Sequence, residues 1–323
     1  MTEHDNVEFV ISRTFDAPRD LVWKAMTEAS RLAHWWGPKG MAMGTVKLDF
    51  RPGGTFHYSM KTPDGHEMWG KFVYREIDPQ DSIVFINSFS DENGGLTRHP
   101  MSATWPLEVL NTQTFTENSG KTTVTLRGGP INASEEERQT FAGAFASMEQ
   151  GFGGTFDQLN EYLMAAKTIG GAKAEFLRAR ENMFRQMEST PDDRLTWSPS
   201  PTARTPLHIV AHSAGSVQRI QEMFDGRPFP VPTMAEAQIY FRDEERQYTT
   251  REQVVSLLDK NSDAYVAWLD GLAPERLTSM IEAPFGLGQV PLAVALSFQA
   301  LHMNGHNGQL EYIQTIYGDE VWH

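Results

Sequence analysis

The spacing of apolar residues changes period once, near residue 165, and neither a single sheet nor a single bundle accommodates both halves. Before that point apolar residues come in short alternating runs. Val7 to Phe15 alternates as a strand does, and Ala17-Pro18 breaks it. Asp20 to Ala33 has apolar residues at Leu21, Val22, Ala25, Met26 and Leu32, a helical pattern. From Met41 to Arg127, strand-like runs are separated by Arg51-Pro52-Gly53-Gly54, Pro63-Asp64-Gly65, Asp78-Pro79-Gln80-Asp81, Glu92-Asn93-Gly94-Gly95 and Asn118-Ser119-Gly120-Lys121. Turn residues at such regular spacing suit an antiparallel meander. Ser134 followed by Glu137 is a capping-box signature, which predicts a helix from there to about Leu163.

Past Ala165 the strand patterns nearly vanish. Ala165 to Ala172 is small and glycine-containing, and residues 167–172 are the expected linker. Four helices are then expected: Lys173 to Glu188, Thr205 to Phe224, Thr250 to Asp270, and Pro291 to Tyr317. Thr205-Pro206 supplies an N-cap and a first-turn proline, Thr250 and Gln253 a second capping box, and Gly318 a C-cap. The connection from Asp225 to Thr249 is too long for a simple up-down bundle. A chain of 323 residues fits two domains at roughly 100–200 residues each. The expected fold class is α+β over residues 1–166, an antiparallel sheet around a long C-terminal helix, followed by an all-α four-helix bundle over 173–323.

Within the last helix, His302 and His306 are four residues apart, so about 400° of helical turn puts both imidazoles on one face. One helix can give a metal two ligands in this way. Phe298, Gln309 and Ile313 continue that face. Gly305 and Gly308 cost the helix about 1 kcal/mol each against alanine, which suggests a close approach there by a backbone or a ligand. His212, midway along the second helix, is positioned to add a third nitrogen, with His208 one turn earlier. Ten histidines in 323 residues also produce such pairs by chance, so spacing alone leaves a metal site and ordinary packing both open. The chain has no cysteine, so thiolate ligands, disulfides and a cysteine nucleophile are excluded. Arg219, seven residues after His212, could hold a substrate carboxylate; a salt bridge to another helix is the plainer alternative.

The segment TPLHIVAHSAGSVQRI (205–220), the run His302-Met-Asn-Gly-His306-Asn-Gly-Gln309 and the preceding Trp197-Ser198-Pro199 resemble the DinB-like family of metal-binding four-helix bundles. The resemblance spans about residues 172–323. It implies that His212, His302 and His306 hold a divalent metal, Zn²⁺, Ni²⁺ or Fe²⁺, and that His208 is not a ligand. The family includes thiol-dependent transferases and isomerases, so a low-molecular-weight thiol becomes an expected partner.

Aromatic residues crowd the first half, and a curved sheet on one long helix often encloses a cavity. Trp35, Trp36, Trp69, Phe145 and Met148 are the expected lining. His57 and Glu67 could face each other across a hairpin or point to solvent. Phe15-Asp-Ala-Pro18, Val22-Trp23-Lys-Ala25, His34-Trp35-Trp36-Gly37-Pro38 and Asp49-Phe50-Arg51-Pro52-Gly53-Gly54-Thr55-Phe56 occur in order. Together they resemble the bacterial homologues of the heat-shock-protein ATPase activator, within the START-like helix-grip (SRPBCC) superfamily, over about residues 7–165. This implies a helix-grip fold with a hydrophobic ligand pocket, but not a reaction.

The net charge of −14 is spread evenly: residues 1–166 carry 14 Lys+Arg and 22 Asp+Glu (−8), and the remainder 14 and 20 (−6). Without a basic cluster, nucleic acid and anionic membranes are poor partners. No run of about 18 apolar residues and no secretory signal is seen, so a cytoplasmic location is expected. A metal-dependent enzyme of the thiol-dependent transferase or hydrolase type, acting on a small hydrophobic molecule, accounts for most of these features. A non-catalytic carrier, sensor or stress-response protein is the alternative, followed by a chaperone-cofactor role; a homodimer is compatible with all three.

Overall fold

A computed structural model describes residues 7–321 and 323. The acidic start at residues 1–6 lies outside them. The chain divides into two compact units, Met1–Ala165 and Ala166–His323.

The first unit runs β1 (Phe9–Phe15), α1 (Arg19–Thr27), α2 (Ala29–Trp35), β2 (Ala42–Leu48), β3 (Thr55–Lys61), β4 (Glu67–Asp78), β5 (Ser82–Ser90), β6 (Glu108–Asn118), β7 (Lys121–Ile131), α3 (Glu135–Gly143) and the first part of α4 (Phe145–Ser189). Its antiparallel sheet has the order β1-β7-β6-β5-β4-β3-β2, so β2 to β7 form a meander and β1 pairs with the last strand. The expected helix over 20–33 is two helices, because Glu28 is extended (φ −109°, ψ 126°) and ends α1. The Ser134–Glu137 capping box forms, with Glu137 N donating to Ser134 Oγ and Ser134 N to Glu137 Oε2.

One face of the sheet is aromatic at alternate positions: Phe56, Tyr58, Phe72, Tyr74 and Phe85 are all buried. Two cross-strand glycines make room on that face. Gly70 opposes Tyr58, and a Cβ there would sit 2.5 Å from the phenol ring. Gly128 opposes Asn111, and a Cβ there would sit 2.3 Å from Oδ1. Both large side chains therefore lie across the strand beside them instead of standing upright.

The second unit contains the remainder of α4, then α5 (Pro206–Phe224), α6 (Met234–Glu245), α7 (Arg251–Asp270), a hairpin of β8 (Met280–Ala283) and β9 (Gly288–Pro291), α8 (Leu292–Ala295) and α9 (Phe298–Ile316). Residues 167–172, read from sequence as a linker, are helical and lie inside α4. Gly170 and Gly171 are only two unfavourable positions in a run of good helix formers such as Ala165, Ala166, Lys167, Ala172 and Lys173. The long connection after Asp225 also contains a helix, α6. The expected last helix divides at Leu296–Ser297 into α8 and α9.

Buried amides set the register of the bundle. Gln299 Nε2 of α9 donates to Val217 O of α5 (2.7 Å), Asn261 Nδ2 of α7 to Ala214 O of α5 (2.9 Å), and Asn307 Nδ2 of α9 to Ala179 O of α4 (2.9 Å). Around them pack Phe176, Met183, Val210, Val217, Leu258, Tyr265, Met303 and Leu310, all buried. At the start of α7 the Thr250–Gln253 capping box is complete. Thr250→Ala is expected to cost the helical unit about 1 kcal/mol, measured as a fall in that unit's denaturation midpoint with the sheet unit's unchanged.

Candidate metal centre and internal cavity

Two histidines reach the centre from α9 and one from α5, and the Gln299–Val217 hydrogen bond holds those two helices in register. Nε2 of His302 and Nε2 of His306 are 3.3 Å apart, as the four-residue spacing on one helix requires. His212 closes the triangle, its ring centroid 5.3 Å from that of His302 and 4.8 Å from that of His306. One nitrogen from each lies within 4.8 Å of the others, a separation at which a single ion can be held. No further His, Asp or Glu joins this group among the described residues.

His212 and His306 are 7% and 9% exposed. Burial, reinforced by the neighbouring imidazoles, pushes His302 down to about 2 and His306 down to about 4; burial likewise lowers His212, against the pull of Glu245. All three are therefore neutral at pH 7, the form that donates a lone pair to a metal. In the metal-free protein the unfolded chain takes up protons first, because its histidines titrate near the ordinary 6.5 while the folded ones do not. Stability is then highest above pH 6.5 and falls as pH drops from there toward about 4, at about 1.4 kcal/mol per pH unit for each such histidine. Denaturant titrations of metal-free protein between pH 7 and 5 check this; a flat profile would contradict it.

The outer nitrogens are also held. Nδ1 of His306 is 2.9 Å from Oε1 of Gln309, so a proton on Nδ1 leaves Nε2 free to coordinate. Nδ1 of His212 is 2.9 Å from Oε1 of Glu245, an ion-pair distance without the alignment of a hydrogen bond. Glu245, 3% exposed, accepts from Arg204 Nε at 2.8 Å through its other oxygen. Its carboxyl is held below the ordinary carboxylate range: burial opposes ionisation, and His212 and Arg204 outweigh it. A pocket of about 340 Å³ opens beside His212, bordered by Arg219, Tyr240, Phe241, Glu244, Glu245 and Asn261 among others.

The sheet unit encloses a second space, a cavity of about 250 Å³ between the aromatic face of the sheet and the helices. Its walls include Phe9, Trp36, Phe72, Phe89, Trp105 and Phe152, and no Asp, Glu, Lys, Arg or His lines it.

Residues 16–164 match the model of the family described as activator of Hsp90 ATPase homolog 1-like protein, and residues 175–310 match that of the DinB superfamily. The chain fuses one domain of each family. Similar solved structures include protein Ms6760 from Mycobacterium smegmatis, 28% identical over 50% of this chain and 92% of that one, with a TM-score of 0.40. A protein from Arthrobacter aurescens is 25% identical over 51% of this chain and 90% of that one, TM-score 0.41. Protein NE0264 from Nitrosomonas europaea is 22% identical over 51% of this chain and 99% of that one, TM-score 0.41. No curated protein matches the chain.

In the DinB-superfamily domain, the three histidines singled out from sequence come together, and His208 stays outside the cluster. Arg219 is engaged in a salt bridge: Nη1 donates to Glu244 Oε2 at 2.7 Å, and the guanidinium lies 4.4 Å from the Phe241 ring centroid. Gly305 and Gly308 do not mark a close approach, because both face open space on the exposed side of α9. Glu245 is the partner that sequence reading missed. It sits on α6, whose start carries a signal of its own: Thr233 caps the helix by accepting from Glu236 N.

In the activator-homologue domain, Trp36 and Met148 border the cavity, whereas Trp35, Trp69 and Phe145 do not. Trp35 points into the core, 2% exposed, with Nε1 donating to Ala25 O at 3.0 Å. Trp69 has the opposite strand parity to Gly70 and Phe72, and stacks on His57 with centroids 4.9 Å apart. Phe145 packs against Phe9 and Phe141 behind the cavity wall. His57 and Glu67 do not face each other: His57 opposes Lys71, and Glu67 opposes Lys61. No described helix is long and apolar enough to cross a membrane.

Proposed function

We propose that this chain is a metal-dependent enzyme of the thiol-dependent transferase or hydrolase type that acts on a small hydrophobic molecule. The observation that carries this reading is the convergence of His212, His302 and His306 with no fourth His, Asp or Glu in the group among the described residues. Three protein ligands leave coordination positions for a reactant, as catalytic sites do and structural sites do not. Zn²⁺, Ni²⁺ or Fe²⁺ bound there would supply a Lewis acid able to generate a water or thiol nucleophile near neutral pH. The chain's own residues do the rest. Gln309 and Glu245 fix two of the rings from behind, Arg204 balances the charge of Glu245, and the pocket beside His212 admits a reactant.

With no cysteine in the chain, a thiol nucleophile has to arrive as a co-substrate. Protein purified without a histidine tag and loaded in turn with each metal is expected to hold one ion per chain and to turn over an electrophilic small molecule with added thiol or water. Failure to retain any of the three metals would overturn the reading.

A binding role suits the first domain by itself. Its cavity is lined by no titratable group except tyrosine, and burial raises Tyr58 to about 12, so nothing there can exchange a proton near neutral pH. That domain would hold a hydrophobic molecule without transforming it.

A further inference from the structure

The cavity of the first domain is not uniformly apolar. Asn111 and Gln113 project into it from β6 and Asn87 from β5. Asn87 opposes Val109, two residues from Asn111, so its amide is diagonal to that of Asn111 on the same face. Asn111 and Gln113 are each 7% exposed. Their hydrogen-bonding capacity is only partly used. Asn111 Nδ2 donates to Val109 O at 2.9 Å, and Gln113 Nε2 has only the sulfur of Met26, at 3.1 Å. Neither side-chain carbonyl has a hydrogen-bond partner among the described residues, and the Asn87 amide has none for either end. The free ends of these amides open onto the cavity, where a bound molecule can supply the partners that the protein does not. The remaining walls are aromatic or aliphatic, and the absence of any cationic side chain gives a bound anion no counter-charge.

We propose that this cavity binds a small, uncharged aromatic molecule carrying one hydroxyl or amide group, with that group seated on the Asn87–Asn111–Gln113 patch and the ring between the aromatic walls. The inference rests on the small-molecule role proposed above for this domain. It adds that the ligand is neutral and bears a hydrogen-bond donor for the free carbonyls. The cavity's 250 Å³ is the volume of about eight water molecules at ~30 Å³ each, enough for a compound of one or two rings.

Equilibrium dialysis of the full chain at pH 7 with naphthalene, 2-naphthol and 2-naphthoate tests this. The hydroxyl is expected to tighten binding of 2-naphthol over naphthalene by about five- to tenfold, the effect of one well-made hydrogen bond. 2-Naphthoate, a carboxylate without a counter-charge, is expected to bind at least about a hundredfold more weakly than 2-naphthol. In Asn111→Leu, and separately in Asn87→Leu, the advantage of 2-naphthol should shrink while naphthalene binding persists; that persistence shows that the cavity still forms. Naphthoate binding as tightly as naphthol, or a hydroxyl advantage unchanged in both variants, would overturn the proposal while leaving a hydrophobic site in place. No binding of any of the three would overturn both this proposal and the small-molecule reading of the domain, and would leave the metal centre untouched.

Discussion

Changing both His302 and His306 to alanine is expected to reduce bound metal from about one ion per chain to background. Three nitrogens converge on one point, and the double variant removes two of them, leaving His212 with no partner on α9. A single remaining histidine competes poorly with water and buffer for an ion, whereas complete structural zinc sites reach apparent binding energies of about 10–16 kcal/mol. Loss of turnover should accompany loss of metal. The fold should survive, because His302 and His306 are not the residues that lock α9 in place: Gln299, Asn307 and Gln314 supply its hydrogen bonds to α5 and α4. The measurement is metal content by elemental analysis alongside the helical circular-dichroism signal. Undiminished metal with the helical signal intact would show that the ion sits elsewhere and would sink the assignment.

The second large effect is expected at Glu245. Its carboxylate is almost fully buried between Arg204 and His212, so Glu245→Leu leaves a guanidinium that is 18% exposed with no counter-charge and leaves His212 unsupported at Nδ1. Removing one member of a buried ion pair costs about 3–5 kcal/mol, and losing the group behind a ligating histidine typically weakens metal binding by about 10–100-fold. Glu245→Gln separates the two effects. It keeps an oxygen toward Arg204, so stability should fall less, while the loss of the negative charge beside His212 still lowers metal affinity. Chemical denaturation of metal-free protein reads the first effect, and competition with a chromophoric chelator reads the second. Equal metal affinity in wild type and Glu245→Gln would remove Glu245 from the metal centre and leave it a purely structural group.

Local rules were enough to read several parts of both domains from sequence. The four-residue interval between His302 and His306 is a property of one helix, and it needs no knowledge of what the helix packs against. The capping boxes at Ser134 and Thr250 are equally local, and both form as expected. The turn clusters between strands likewise predicted a meander, and β2 to β7 are connected in that order.

Other expectations failed where a side chain's surroundings depend on distant residues. Adjacent tryptophans at 35 and 36 take opposite roles, because the chain leaves its helix between them: Trp35 ends α2 and Trp36 is extended (φ −67°, ψ 132°). Trp69 belongs to the outer face of the sheet, a parity fixed by the pairing of Tyr58 with Gly70 and hence by another strand. Residues 167–172 follow directly on the boundary between the two units at Ala165 and Ala166, and they are helical because the small penalty of their glycines is outweighed by the helix formers around them.

What the sequence by itself determined was therefore the architecture of each half and the placing of His302 and His306 on one face of a helix, because periodicity, caps and helical spacing act over a few residues. What only the tertiary structure decided was which residues meet. The folding of α6 back onto α5 brings Glu245, thirty-three positions along the chain, to His212. The amides inside the first domain become a patch only when β5 and β6 pair. Both outcomes depend on packing between segments far apart in the chain, and no local pattern encodes that contact.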